Sequence, residues 1–257
     1  MRITTWNVNS VRARLPRVID WLDAARPDVL CMQELKCRDE QFPAEAFEDL
    51  GYNVAVFGQK SWNGVAIASQ HPISGIIRGI PDADDPQSRG MAVVTGGLFI
   101  VNLYVPNGSE VGSDKYAYKL QWLDGLLDWL SNETGPDDDI LVTGDFNICP
   151  ADRDVYDPAA WHEKIICSTP ERERFERLIE WGLTDALRHF DDSEGIYTWW
   201  DYRAAMFRRG LGLRIDHHLV SASVLQRTQG VEIDREARKG EKPSDHAPVT
   251  LILGDAS

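Results

Sequence analysis

Short runs of β-branched and apolar residues recur from one end of the 257-residue chain to the other: Ile3–Val8, Val29–Met32, Val54–Phe57, Val65–Ala68, Met91–Thr95, Leu98–Val105, Ile140–Thr143, Arg214–Val220 and Pro248–Leu253. Runs of this length and make-up predict strands buried on one or both faces. Helical periodicity fills only some of the gaps. Leu15, Val18, Ile19 and Leu22 follow a 3.6-residue period, with Pro16 at the helix start. Tyr116, Leu120, Leu123, Leu127 and Leu130 form a second apolar stripe, and Ser168-Thr169-Pro170-Glu171 opens a third helix with a capping box. Strands outnumber helices, so a single doubly wound sheet does not fit, and the irregular spacing does not fit an eight-fold α/β barrel. The expectation is one α/β domain over 1–257, two packed mixed β-sheets flanked by helices, with no repeat or long linker.

The longest apolar run is four residues, far below the ~20 that a membrane-spanning helix needs. The first residues, Met1-Arg2-Ile3-Thr4-Thr5-Trp6-Asn7, hold no apolar signal core, so a cytoplasmic protein is expected. Cys31, Cys37, Cys149 and Cys167 show no paired spacing and no nearby histidine at zinc spacing, which predicts reduced thiols. Against 41 acidic residues stand 20 Arg and 7 Lys, a net charge of −14. Such a chain does not coat nucleic acid or anionic membrane through its overall field. An enzyme that meets phosphates through a metal and a small basic rim is still compatible with it.

Several predicted strands run into hard polar groups: Asn7 and Asn9, Gln33-Glu34, Asp145 and Asn147, Asp216, and Asp245-His246 just before the last strand. Polar groups at strand ends gather at one edge of an α/β protein, where a ligand reaches them. Carboxylate and amide oxygens around Glu34 suit Mg²⁺, or Mn²⁺ in its place, rather than zinc. Glycine-rich phosphate cradles and the His-Glu-x-x-His pattern are absent, which leaves metal-assisted hydrolysis of a phosphate ester. Asp145 and Asn147 are two apart, so an extended segment would point both to one side. One then takes a proton from water while the other donates to the phosphate. Asp216 and His246 form a candidate carboxylate–imidazole pair. His217 and His218, adjacent on a strand, point to opposite faces and do not chelate together.

The segments Trp6-Asn7-Val8-Asn9, Gln33-Glu34, Asn63-Gly64-Val65-Ala66-Ile67, Tyr104-Val105-Pro106-Asn107, Lys115-Tyr116-Ala117-Tyr118-Lys119, Gly144-Asp145-Phe146-Asn147, Tyr197 to Arg203, Arg214-Ile215-Asp216-His217 and Ser244-Asp245-His246 resemble, in order, the motifs of the exodeoxyribonuclease III family of DNA-repair nucleases. Asp-Phe-Asn and Ser-Asp-His alone mark only the wider superfamily. The Trp-Trp-Asp-Tyr-Arg segment and the Lys-x-x-x-Lys helix start narrow it to the DNA-repair branch. The resemblance implies a four-layered, DNase I-like α/β sandwich with the site at one edge. It implies Mg²⁺ held chiefly by Glu34, with Asn7, Asp145, Asn147, Asp245 or His246 contributing. It further implies Asp145 as the base, Asn147 as transition-state stabiliser, and Tyr104 and the Asp216–His246 pair at the phosphate. The substrate implied is double-stranded DNA with abasic sites or recessed or blocked 3′ ends, met by a monomer without a membrane.

For DNA contacts the resemblance points to Asn107, Lys115, Lys119, Arg203, Arg208 and Arg209 as backbone grips. Trp199, Leu213 and Ile215 fall where relatives form an apolar pocket for a base-free sugar. Two loops depart from the pattern. Gly108-Ser109-Glu110 puts an acid where some relatives push a basic or polar residue into the duplex, and Lys164-Ile165-Ile166-Cys167 brings bulky apolar groups to the expected DNA surface. Either hinders an internal abasic nucleotide while leaving a frayed 3′ end accessible. Two other readings remain: hydrolysis of an inositol or lipid phosphate, for which no lipid-facing segment is seen, and a catalytically silent DNA-binding paralogue, against which stands the presence of every catalytic position.

Overall fold

The computed structural model describes residues 1–82 and 84–254. Among the described residues, twelve strands form two six-stranded sheets. The first contains β1 (Arg2–Asn7), β2 (Val29–Gln33), β3 (Asn53–Phe57), β4 (Val65–Ser69), β11 (Thr228–Ile233) and β12 (Val249–Leu253), ordered β11-β12-β1-β2-β4-β3. The second contains β5 (Ser74–Arg78), β6 (Gly90–Thr95), β7 (Leu98–Tyr104), β8 (Ile140–Asp145), β9 (Thr184–Asp185) and β10 (Asp216–Val220), ordered β5-β6-β7-β8-β10-β9.

Side-chain alternation along each central strand builds four layers. Ile3, Cys31, Ile100, Leu141 and Leu251 meet between the sheets. The opposite residues of the first sheet, Leu30, Met32 and Ala66, pack on Val18 and Leu22 of the helix Leu15–Ala25. On the outer face of the second sheet, Val101 and Val142 pack on Trp122 and Leu126 of the helix Asp114–Glu133 and on Phe175 and Leu178 of the helix Thr169–Glu180. This is the expected pair of mixed sheets flanked by helices.

The sheets share one design at their centres. β1 and β2 are parallel and β12 runs back against β1; β7 and β8 are parallel and β10 runs back against β8. Parallel strands end at one edge, and their antiparallel neighbours begin there. Asn7, Gln33, Tyr104 and Asp145 are therefore last residues of strands, while Asp216 opens β10 opposite Asp145. Asn7 and Asp145 keep the parity of Ile3 and Leu141, so both turn into the space between the sheets. Only glycine fits before Asp145. Gly144 has φ +140°, and a Cβ there would lie 1.9 Å from the Leu103 carbonyl oxygen.

Three strands escape the sequence pattern: β5, β9 and β11. All lie at sheet edges, where one face is solvated and burial demands less of the composition. β5 is mostly exposed, β9 is two residues long, and β11 is broken by an irregularity between Thr228 and Gly230. The expected strand from Arg214 begins instead at Asp216. The stripe expected on the helix Asp114–Glu133 is also rotated. The buried face is Tyr116, Lys119, Trp122, Leu123, Leu126 and Leu130, with Lys119 on the inner side. Among the described residues no helix is long and apolar enough to cross a membrane.

Candidate active site

The strand ends converge on the Asn7 side chain. Its Nδ2 donates to Glu34 Oε2 and to Asp145 Oδ2, both at 2.9 Å, joining the two sheets at their shared edge. Asn7 Oδ1 accepts from the Asn9 backbone N–H, and Ser244 Oγ donates to the Asn7 carbonyl at 2.6 Å. Glu34 lies just past β2 at φ +59°, and Asn147 just past β8 at φ +50°. Left-handed backbone is rare for residues with a side chain and gathers at functional sites.

Asn147 corrects the expectation of an extended Asp145–Asn147 segment. The chain turns sharply, and the Asn147 backbone N–H donates to Asp145 Oδ1 at 3.0 Å. Asn147 Oδ1 accepts from Asn107 Nδ2, and one N–H of its amide goes to the Val105 carbonyl. An amide nitrogen carries two hydrogens, so one donor remains for a ligand.

Asp216 and His246 meet. The His246 Nδ1 lies 2.9 Å and 3.1 Å from the two Asp216 oxygens, and Nε2 lies 3.6 Å from Asp145 Oδ2. Burial alone would lower the imidazole pKa, but the Asp216 and Asp145 carboxylates outweigh it and push it up to about 10, so the ring is charged at neutral pH. Burial pushes Asp145 up to about 7, against the pull of the His246 cation. Asp245, despite burial, is held below the ordinary carboxylate range by His246 and by hydrogen bonds from Trp199 Nε1 and Asn9 Nδ2. Burial and the nearby Glu34 and Asp145 charges raise Tyr104, which keeps its hydroxyl proton as a donor.

The donor set fits a hard divalent cation. Glu34 and Asp145 direct carboxylate oxygens at one shared amide, and ligand atoms of Asp145, Asp216 and His246 lie within 4.8 Å of one another. Oxygen donors of this kind suit Mg²⁺ or Mn²⁺. His246, protonated and bonded to Asp216, is a poor ligand in that state. Lys36 was not singled out by sequence. Its ammonium lies 2.9 Å from Glu34 Oε1 and donates to Asn9 Oδ1 at 2.7 Å. The signal was present two residues after Glu34.

Several expected DNA contacts lie elsewhere. Lys119 is fully buried: its Nζ donates to the carbonyls of Asn147 and Asn107 and pairs with Glu171, so it grips no DNA backbone. Trp199 is half-buried and bonded to Asp245. Leu213 and Ile215 are buried and pack in one apolar cluster with Val155, Ile166 and Cys167. Lys115, Asn107, Arg203, Arg208 and Arg209 are exposed, with Arg203 turned back onto Asp201. His217 and His218 are both buried and separately bonded, to the Ile148 and Val249 carbonyls.

Residues 4–246 match the model of the endonuclease/exonuclease/phosphatase family. The chain is 36% identical to exodeoxyribonuclease III of Haemophilus influenzae over 97% of its own length and 98% of the relative's. It superposes on a 3′ phosphatase from Neisseria, solved with a product DNA hairpin, with a TM-score of 0.95 and 45% identity, covering 99% of both chains. An AP endonuclease from Archaeoglobus fulgidus matches with a TM-score of 0.95 and 36% identity over 98% of this chain and 99% of that one.

Proposed function

The chain belongs to the endonuclease/exonuclease/phosphatase family, and we propose that it works there as a metal-dependent DNA-repair phosphodiesterase on duplex DNA, a single catalytic domain active as a monomer in the cytoplasm. It is a hydrolytic nuclease of the exodeoxyribonuclease III type. The observation that carries the reading is the meeting of Asp145 with a charged His246 on Asp216, beside the Glu34 carboxylate.

Asp145 accepts a proton from water, whose oxygen forms a bond to phosphorus as the ester P–O bond breaks; the departing oxygen leaves with the bonding pair and takes a proton from solvent. The His246 cation and the free Asn147 N–H stabilise charge on the phosphoryl oxygens, and the Tyr104 hydroxyl donates beside them. Glu34 and Asp145, oriented by the Asn7 amide, would hold Mg²⁺ or Mn²⁺, which when bound would polarise the phosphate. Lys115, Asn107, Arg208 and Arg209 supply backbone contacts that position DNA without reading it.

The apolar residues beside the site bear on the choice between abasic-site incision and 3′-end processing. Leu213 and Ile215, expected to cradle a base-free sugar, are buried in one cluster with Ile166 and Cys167, which favours the 3′ end. We assign 3′→5′ exonuclease and 3′-end cleaning as the principal activity, with incision at internal abasic sites secondary. The test compares a duplex with an internal abasic analogue and one with a recessed 3′ end, in Mg²⁺ and in EDTA. Metal-dependent loss from the 3′ end, with slower internal cutting, is expected. Cleavage of neither, with release of phosphate from an inositol phosphate, overturns the reading.

A further inference from the structure

Trp62 is 70% exposed, the most exposed large hydrophobic side chain among the described residues. It stands on a braced loop. Ser61 and Asn63 on either side have φ of +72° and +56°, Asn63 Nδ2 donates to Gln59 Oε1 at 2.8 Å, and the Asn63 carbonyl accepts from the Lys36 backbone at 2.9 Å. An indole presented on a braced backbone is a surface suited to a ligand, since little backbone freedom is lost on contact.

Trp62 lines a cleft of about 470 Å³ together with Gln59, Gln87, Arg89 and Lys115, which adjoins the candidate site at Tyr104. On a chain of net charge −14, the charged side chains that line this cleft are the cations Arg89 and Lys115, and the Asp85 carboxylate at its wall is taken up by the Tyr118 hydroxyl and the Gln87 backbone N–H. Arg89 is held in place by Gln87 Oε1 at 2.9 Å and by the Tyr104 carbonyl at 3.2 Å, with its guanidinium 5.0 Å from the centre of the Tyr104 ring. Lys115 is exposed and makes no ion pair among the described residues. An aromatic face, two cations and a rim of amides match a nucleotide strand: the cations meet phosphate, the amides meet base edges, and the indole meets a base face.

The paired strands of a duplex do not offer that face. Each paired base is covered above and below, so an exposed indole stacks only on a nucleotide released from its neighbours. We propose that this cleft is a binding site for an unpaired nucleotide of the DNA strand next to the scissile phosphate, with Trp62 as its stacking platform. The proposal rests on the nuclease reading and deepens it: a duplex end whose terminal nucleotide is unpaired gains a contact that a fully paired end does not make.

The experiment uses the full chain in EDTA and a DNA hairpin carrying 2-aminopurine, either unpaired beside the 3′ terminus or paired within the stem. In wild-type protein the unpaired probe is quenched on binding and the paired one is not. Trp62→Ala abolishes the quenching and weakens binding of the frayed hairpin at least about 5-fold, while Trp62→Phe retains most of both. Equal quenching and equal affinity in Trp62→Ala, with metal-dependent cleavage by the wild type intact, overturns the stacking site and leaves the nuclease reading standing. Wild-type protein that neither binds nor cleaves any of these DNAs overturns both. Trp62 is outside the core, so a matching melting curve confirms that the variant is folded.

Discussion

The ammonium of Lys119 donates to the backbone carbonyl of Asn147 at 2.7 Å, from a position with no solvent exposure. The same nitrogen bonds the Asn107 carbonyl and the Glu171 carboxylate, whose Oε1 also accepts from the Ile166 backbone. One buried cation therefore fastens the turn after β8 to the loop after β7 and to the loop before the helix Thr169–Glu180. The turn carrying Asn147 is held through its backbone, which leaves the Asn147 amide to its own partners.

Lys119→Met should destabilise the fold by about 3–5 kcal/mol, because it leaves the Glu171 carboxylate buried without its partner. Lys119→Met with Glu171→Gln should recover part of that loss. Lys115→Ala should leave the denaturation midpoint unchanged and reduce the salt dependence of DNA binding by about one unit of slope. The two lysines, one helical turn apart, are thus separated by denaturation on one side and by salt titration on the other. An unchanged midpoint for Lys119→Met would rule out the structural role.

Asp145→Asn should lower turnover by about 10²- to 10⁴-fold, the range of a lost general base, while the fold is retained. The new amide has one oxygen for the two donors, Asn7 Nδ2 and the Asn147 N–H, and leaves the His246 cation with one counter-charge fewer, but it removes a charge whose ionisation burial opposes. These effects oppose one another, so its melting temperature in EDTA at pH 8 should stay close to that of the wild type. Added Mg²⁺ should raise the melting temperature of the wild type more than that of the variant. Turnover at the wild-type rate would remove Asp145 as the base.

Burial lowers His217 and His218 to about 4 from an ordinary 6.5. The unfolded chain then binds protons that the folded chain refuses, so the stability these rings contribute is complete above about pH 6.5 and is lost as pH falls towards 4. Each ring accounts for about 3 kcal/mol at the acid limit, from ~1.4 kcal/mol per unit. His246 has the opposite sign. Its raised pKa adds stability that is present below 6.5 and lost as pH rises through about 10. Asp145, raised to about 7, opposes the two rings in the acid range because the folded chain keeps its proton there; the two rings outweigh it, so urea midpoints should fall from pH 6.5 to 4.5 and again as pH rises above neutrality. A flat acid limb would show that the two rings are charged in the folded protein.

The central strands were legible in sequence because burial on two faces demands an apolar run, as in Val29–Gln33 and Ile140–Asp145. Edge strands such as Ser74–Arg78 make no such demand and leave no comparable pattern. Asn7, Glu34, Asp145, Asp216 and His246 were legible because strand ends bring them together whatever the loops do. Lys119 was misjudged by one position of a helical stripe: Leu120 and Leu127 share the apolar character of the buried positions but are only partly buried, while a lysine faces inward to meet Glu171. Trp62 had no signal, since an exposed aromatic on a loop has no periodicity to stand out from.

Ile166 gives the last prediction, on substrate choice. It sits at φ +77°, a strained conformation for a β-branched residue, and its side chain packs in one cluster with Leu213 and Ile215. Ile166→Gly relieves that strain by about 1–3 kcal/mol, offsetting part of the lost burial of the side chain. It also opens space over the two apolar residues. Incision at an internal abasic analogue should therefore rise relative to degradation from a recessed 3′ end, with the rate on the 3′ end changing less. The ratio of the two initial rates, measured on duplexes of one sequence, checks it. An unchanged ratio in a folded variant would mean that the buried Leu213–Ile215 surface does not decide between the two activities.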